Sequence, residues 1–286
     1  RRPRRCGRTR RDRLRRPGAR LNRGTAGTPD HVVIPVHDLN PARRTPWVLY
    51  ALVVANVVVF LLTPGTAGSL TGNVPLAELC RLEAFLDRFA AVPQELVHHR
   101  MPRLVPTGET GVGPEGPGCV VRPPEYAKSP ELSVLSAMFL HGGWLHLLGN
   151  MLFLWIFGNN VEDRTGHWRF ALFYLVCGYV AAYAYSLTNA ASAAPLIGAS
   201  GAVAGVLGAY LVLYPRARVW VLVPFLVFLP LRLPAWVVLG SWFALQAVYS
   251  SGAGVAGAGT VAYLAHVAGF VAGVLLALPL RPGTVQ

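Results

Sequence analysis

Among the polar side chains in the apolar stretches of this chain, four have the types of a nucleophile, a base and hydrogen-bond donors. Ser200 lies in "PLIGASGAVAGVLGAY", residues 195–210, in the pattern Gly-x-Ser-Gly. His266 lies in "AHVAGFVAGVLLA", and His146 and Asn150 lie in "HGGWLHLLGN". A serine hydroxyl is a weak nucleophile at neutral pH and needs a base to take its proton. A histidine is suited to that task and can return the proton to a leaving amine. The tetrahedral intermediate of such a reaction needs donors for its oxyanion. The Asn150 amide, a ring nitrogen of His146 and the Ser200 backbone N–H are the candidates.

Other chemistries lack their residues. Lys128 is the only lysine, and no Asp or Glu follows Asp163. A Ser–Lys pair and an acidic third member are therefore not expected, which leaves a Ser200–His266 dyad. There is no His-Glu-x-x-His and no pair of aspartates in an apolar segment, so neither a metal nor any other cofactor is expected. Each residue also has a plainer reading. A serine in an apolar helix usually bonds back to its own helix, and an asparagine there often only joins helices. The coincidence of type and position favours the chemical reading.

Position follows from the elements that carry these residues. The chain has 286 residues, 53% of them hydrophobic and 14% charged, with a mean hydropathy of +0.43. That profile belongs to a membrane protein with several spans. Six segments approach the roughly 20 apolar residues needed to cross a bilayer. They are 46–62, 143–162, 168–187, 199–214, 234–250 and 260–280, punctuated by Gly142-Gly143, Pro64, Pro215, Pro234 and Pro279. Segment 219–233 is apolar but broken by Pro224 and Pro230, and reads as a partly buried connection. Counting ~1.5 Å per helical residue from the presumed membrane faces puts Ser200, His266, His146 and Asn150 at similar depths, ~5–10 Å below the outer one. Polar residues at such depth are functional candidates by default. Gly201 and Gly205, and Gly269 and Gly273, are each four apart and would let two helices pack closely enough to join the dyad.

Charge sets the expected orientation. The first 46 residues hold 14 of the 26 basic residues, all arginine. Arg164, Arg216, Arg218, Arg232 and Arg281 fall on the same side if the N-terminus is cytoplasmic, while 188–198 and 251–259 carry no charge. Residues 1–30 begin at Arg1 rather than a methionine, read as a disordered cytoplasmic tail able to touch anionic lipid, and are set aside from the fold. No nucleic-acid partner is expected, because no aromatic or glycine module accompanies the arginines. Residues 281–286 read as a cytoplasmic C-terminal tail. Residues 63–142 form a long outer loop. Within it "LAELCRLEAFLDRF" has helical spacing, and "GETGVGPEGPG" reads as a flexible insert. Cys80 and Cys119 share this loop on the oxidising side as a possible disulfide. Cys6 and Cys177 have no evident partner. His98-His99 reads as a solvated pair, and Glu162, Asp163 and Arg164 as residues that fix helix ends.

"HGGWLHLLGNMLFLWIFGNNVED", "GASGAVAGVLGAY" and "AHVAGFVAGVLLA" together resemble the three signature segments of rhomboid intramembrane serine proteases. "VVIPVHDLNPARRTPWVLYALVVANVVVF" resembles the start of bacterial members, and "LPAWVVLGSWFALQ" their fifth helix. The resemblance covers roughly residues 31–280. It implies an all-α membrane protein with a six-helix rhomboid core and a long, partly helical outer loop, in the plasma membrane, that cleaves membrane-anchored proteins near the outer face. By it Ser200 is the nucleophile, His266 the base, His146 and Asn150 the oxyanion-side residues, and Gly198 and Gly201 flank the nucleophile turn. Two features depart from some members. Ala204 stands where an aromatic would back the histidine, and the first loop lacks their Trp-Arg pair. The contrasting expectation is a silent relative that binds transmembrane helices. A transporter would need charged residues through the core, whereas the last four apolar segments carry no acid and, as their one arginine or lysine, Arg169 near an end.

Overall fold

The computed structural model describes residues 43–66, 74–100, 102, 104–113, 116–223, 229–251 and 262–281. The arginine-rich stretch 1–30, Cys6, Pro224, most of 251–259 and the last five residues lie outside these. The described part is mostly helical. Helix α1 (Trp47–Leu62) is followed by α2 (Leu76–Phe89), the short α3 (Pro93–His98), strands β1 (Val105–Gly113) and β2 (Gly116–Arg122), and α4 (Pro130–Ala137). Then come α5 (Trp144–Thr165), α6 (His167–Thr188), α7 (Ser200–Leu213), strands β3 (Arg218–Val223) and β4 (Leu229–Pro234), α8 (Ala235–Ser250) and α9 (Tyr263–Ala277). A 3₁₀ turn, Leu278–Leu280, ends the last helix.

Six of these helices, α1 and α5 to α9, fall on the six apolar segments, with ends shifted by up to three residues. Among the described residues, two are long and apolar enough to cross a membrane: His167–Thr188 and Tyr263–Leu280. Helices α1, α7 and α8 are apolar but shorter. Helix α5 has 22 residues but carries Glu162, Asp163 and Arg164 at its end.

Helix α7 is the centre of the core. Every residue from Gly201 to Tyr210 is buried, as an all-round apolar helix must be. Its small residues permit close approach on two sides. A Cβ on Gly269 would come 2.1 Å from the Gly201 carbonyl oxygen, and one on Gly273 would come 1.9 Å from that of Gly205. On the α6 side, a Cβ on Gly205 would come 2.5 Å from Cys177, and one on Gly201 would come 2.5 Å from Ala181. Free Cys177 is thus a buried packing residue. Below the glycines the core is aromatic, with Phe157 set edge-on to Tyr210 at 4.9 Å.

The charged end of α5 orders α1. Pro46 offers α1 no side-chain cap, so its first N–H groups need an acceptor from elsewhere. Buried Glu162 supplies it: Val48 and Leu49 N–H donate to its two oxygens at 3.0 and 2.8 Å. His167 Nδ1 lies 2.5 Å from Glu162 Oε1. Arg44 N–H donates to Asp163, and Arg164 donates to the Leu280 carbonyl.

Two segments differ from the sequence reading, and with them the fold is mostly helical rather than all-α. "GETGVGPEGPG" is not a flexible insert. It supplies most of an antiparallel hairpin, β1 with β2, in which Thr110 faces Cys119. Glycine-rich strands have few side chains to alternate, so period-two patterning cannot reveal them. Residues 219–223 and 229–233 of the partly buried connection likewise pair as antiparallel strands, β3 with β4. Its continuous apolar run hides the alternation, and Arg232 stacks on its cross-strand partner Trp220 at 4.1 Å.

The described residues between α1 and α5 form a cap. A disulfide joins Cys80 of α2 to Cys119 of β2. Lys128 Nζ lies 2.6 Å from Glu95 Oε2, with side chains only 2% and 1% exposed, and also donates to the Asp87 carbonyl. Burial raises the Glu95 carboxyl above its ordinary range, with Lys128 opposing that rise. Tyr126 donates to the Asp87 carboxylate. His98 ends α3, while the next residue, His99, reaches Glu131 at 3.0 Å. No cluster suited to a metal exists among the described residues.

Candidate active site

The loop before α7 is pinned along the cap. Gln94 N–H donates to the Ser192 carbonyl at 3.0 Å, and Leu196 N–H to that of Ala91 at 2.7 Å. Gly198 N–H donates to the Ala137 carbonyl at 2.9 Å. Gly198 has φ +119°, a conformation that suits glycine, and the chain then turns directly into α7 at Ser200.

Ser200 therefore begins a helix, while His266 sits in the first turn of α9. The α7–α9 glycine contacts bring them together: Ser200 Oγ lies 2.8 Å from His266 Nε2. The other ring nitrogen, Nδ1, lies 2.7 Å from Gln246 Oε1 on α8. If Nδ1–H donates to that oxygen, Nε2 is left with its lone pair toward the serine hydroxyl, as a general base requires.

His146 lies on the first turn of α5. The Gly142 N–H faces its Nδ1 at 3.4 Å, which leaves Nε2 to carry the ring proton. That nitrogen faces the turn before Ser200: a Cβ built on Gly198 would meet it at 2.8 Å, and Ser200 Oγ at 3.7 Å. Asn150, one turn along α5, is buried, and its amide nitrogen has no partner among the described residues. It is a spare donor on the same helix face.

Three helices begin here, α5, α7 and α9, and none has a side-chain cap. The first-turn N–H groups of a helix carry partial positive charge. An anion developing beside Ser200 would be favoured there.

A family model, the Rhomboid domain, matches residues 130–283. The chain belongs to the rhomboid family. RHOMBOID-like protein 1 of Arabidopsis thaliana is 33% identical over 58% of this chain and 39% of its own length. Rhomboid protein 1, mitochondrial, of Saccharomyces cerevisiae is 33% identical over 51% of the chain and 40% of its own. Rhomboid-like protein 11, chloroplastic, of Arabidopsis is 42% identical over a quarter of each. The chain thus matches about two-fifths of the length of the first two relatives. Rhomboid proteins are integral membrane proteins, and the family includes serine proteases and inactive relatives.

The sequence reading of this rhomboid chain missed Gln246. A signal existed. Gln246 is the only amide in apolar α8. It lies twelve residues beyond Pro234, ~18 Å along the helix and close to the depth assigned to Ser200. Ala204 is buried in α7 and offers no ring to His266. Trp242 and Tyr263 flank the imidazole instead, at 6.1 and 6.4 Å between centroids.

Proposed function

We propose that the protein is an intramembrane serine endopeptidase that hydrolyses peptide bonds of membrane-anchored proteins near the outer face of the plasma membrane. The observation that carries this reading is the 2.8 Å contact between Ser200 Oγ and His266 Nε2. In this reading α1 and α5 to α9 are all membrane-embedded, the N-terminus is cytoplasmic, and the cap of α2 to α4 lies outside. Helix α7 has 14 residues, ~21 Å against a ~30 Å hydrocarbon core. Its N-terminus therefore ends short of the surface, with the preceding loop dipping inward and satisfied by the cap's backbone.

In the reaction, His266 Nε2 takes the hydroxyl proton as Ser200 Oγ bonds to the scissile carbonyl carbon. The carbonyl oxygen becomes an oxyanion, facing His146 Nε2–H, the Asn150 amide and the Ser200 N–H. The C–N bond breaks as the imidazolium gives its proton to the leaving amine. Water, deprotonated by His266, then hydrolyses the acyl-serine ester and frees Ser200. No residue in this sequence requires a cofactor.

The test is cleavage of a single-span substrate by the purified protein in liposomes, with Ser200→Ala and His266→Ala in parallel. The expected result is cleavage by the wild type alone, near the outer face. Persistent cleavage by Ser200→Ala would overturn the site. Absence of both cleavage and active-serine labelling would favour a silent relative that binds membrane helices.

A further inference from the structure

Within the protease reading above, on which this step rests, we infer that Gln246 is the positioning residue of the dyad, a neutral third member that holds His266 with its proton on Nδ1. The sequence offers no carboxylate for this task, since none follows Asp163. An Nδ1–H group in an apolar helix bundle still needs an acceptor. Gln246 Oε1 stands 2.7 Å from Nδ1, on the side of the ring opposite Ser200. An amide oxygen can fix the tautomer and the ring orientation. It cannot lend the imidazolium the negative charge that an aspartate would.

The register of α8 on α9 makes this contact specific. Tyr249 packs on Tyr263 at 5.1 Å, and Phe243 stacks on Phe270 at 4.6 Å. Trp242 lies against both His266 and Phe270. These aromatic contacts bracket Gln246 above and below. Trp242, Gln246 and Tyr249 are spaced i, i+4 and i+7, on one helix face. The aromatic backing absent at Ala204 is thus provided by α8, which also brings the amide. A displacement of α8 would take away both supports of the base together, so this helix would tie the state of the dyad to its own position.

The orientation of the amide decides the chemistry. With Oε1 toward Nδ1, Nε2 accepts the serine proton. With the amide reversed, its NH₂ would donate to Nδ1 and the ring proton would move to Nε2, facing Ser200 with no lone pair to offer.

The experiment uses the full-length protein in liposomes with ¹⁵N-labelled histidine rings, and assigns the His266 signals by His266→Asn. Neutral His266 should show the Nδ1–H tautomer in the wild type. Gln246→Leu should lose that preference. It should also slow both fluorophosphonate labelling of Ser200 and kcat by about tenfold, the worth of one buried hydrogen bond, with KM little changed. Gln246→Glu should restore the tautomer and move the acid limb of the pH–rate profile to higher pH, because a carboxylate favours the imidazolium. Circular dichroism of the variants distinguishes lost helix packing from lost positioning. An Nε2–H tautomer in the wild type would overturn the inference. So would an unchanged tautomer and pH profile in a folded Gln246→Leu protein. The tautomer is read without turnover, so a wild type that neither cleaves nor labels would defeat the protease reading while the positioning of His266 was still measured.

Discussion

Gly269→Ala gives a quantitative test of how packing creates the site. The new methyl would sit 2.1 Å from the Gly201 carbonyl oxygen, and real Cβ contacts essentially never fall below 3.0 Å. The obstacle is backbone, so no side chain can swing away. Helices α7 and α9 must part by at least the difference, about 0.9 Å. The contact lies next to Ser200 on α7 and less than one turn from His266 on α9. If the whole displacement falls along the dyad, its 2.8 Å contact opens to about 3.7 Å, beyond the ~3.2 Å limit of a useful hydrogen bond. General-base assistance is typically worth ~10²–10⁴ in rate, so a loss of ~100-fold or more in kcat is expected. Overpacking should also cost ~1–3 kcal/mol of stability. The assay is liposome cleavage, with thermal unfolding measured on the same samples. Gly240→Ala is the control, because a Cβ there meets nothing within 4 Å. A folded Gly269→Ala protein with wild-type kcat would refute the reasoning that glycine contact sets the dyad distance.

Three further outcomes follow from the cap and the nucleophile turn. Lys128→Met strands the Glu95 carboxylate in a site where it is 1% exposed, and should cost ~3–5 kcal/mol at neutral pH. Burial already raises the folded-state pKa of Glu95, and losing Lys128 raises it further. The native state then binds the extra proton, so unfolding scans should show the variant losing stability as pH rises from ~4.5, the ordinary carboxyl value, through that folded pKa. Reduction of Cys80–Cys119, 39 residues apart, should remove about 4 kcal/mol of loop-closure stabilisation from the cap, read as a lower melting temperature with reductant. Gly198→Ala imposes both an unfavourable φ of +119° and a Cβ 2.8 Å from His146 Nε2. It should lower kcat by ~100-fold, the scale of losing an oxyanion donor, while Ser200 still faces His266.

The helices are legible in the sequence because apolar runs meet abrupt Gly and Pro boundaries, as at Gly142-Gly143 before α5 and Pro234 before α8. Ser200 and His266 stand out because a polar group is costly in an apolar segment, and counting residues from each end suggests a common depth. Long-range partners carry no local signature. Nothing around Lys128 announces Glu95, and nothing around Gln246 announces His266, although the depth count applied to α8 would have exposed the latter. The two hairpins are hidden for opposite reasons. In β1 and β2 glycines remove the side chains that would alternate, and in β3 and β4 nearly every side chain is apolar. Glu162 is intermediate: its role at a helix end is suggested by position, but the helix it caps is α1, more than 110 residues away.

The account depends most on Ser200 being made nucleophilic by His266. The direct measurement is fluorophosphonate labelling of the purified protein in liposomes, with the modified residue mapped by mass spectrometry. The account predicts a single adduct on Ser200, abolished in Ser200→Ala and strongly reduced in His266→Ala. An adduct on another residue, or undiminished labelling of Ser200 without His266, would contradict it.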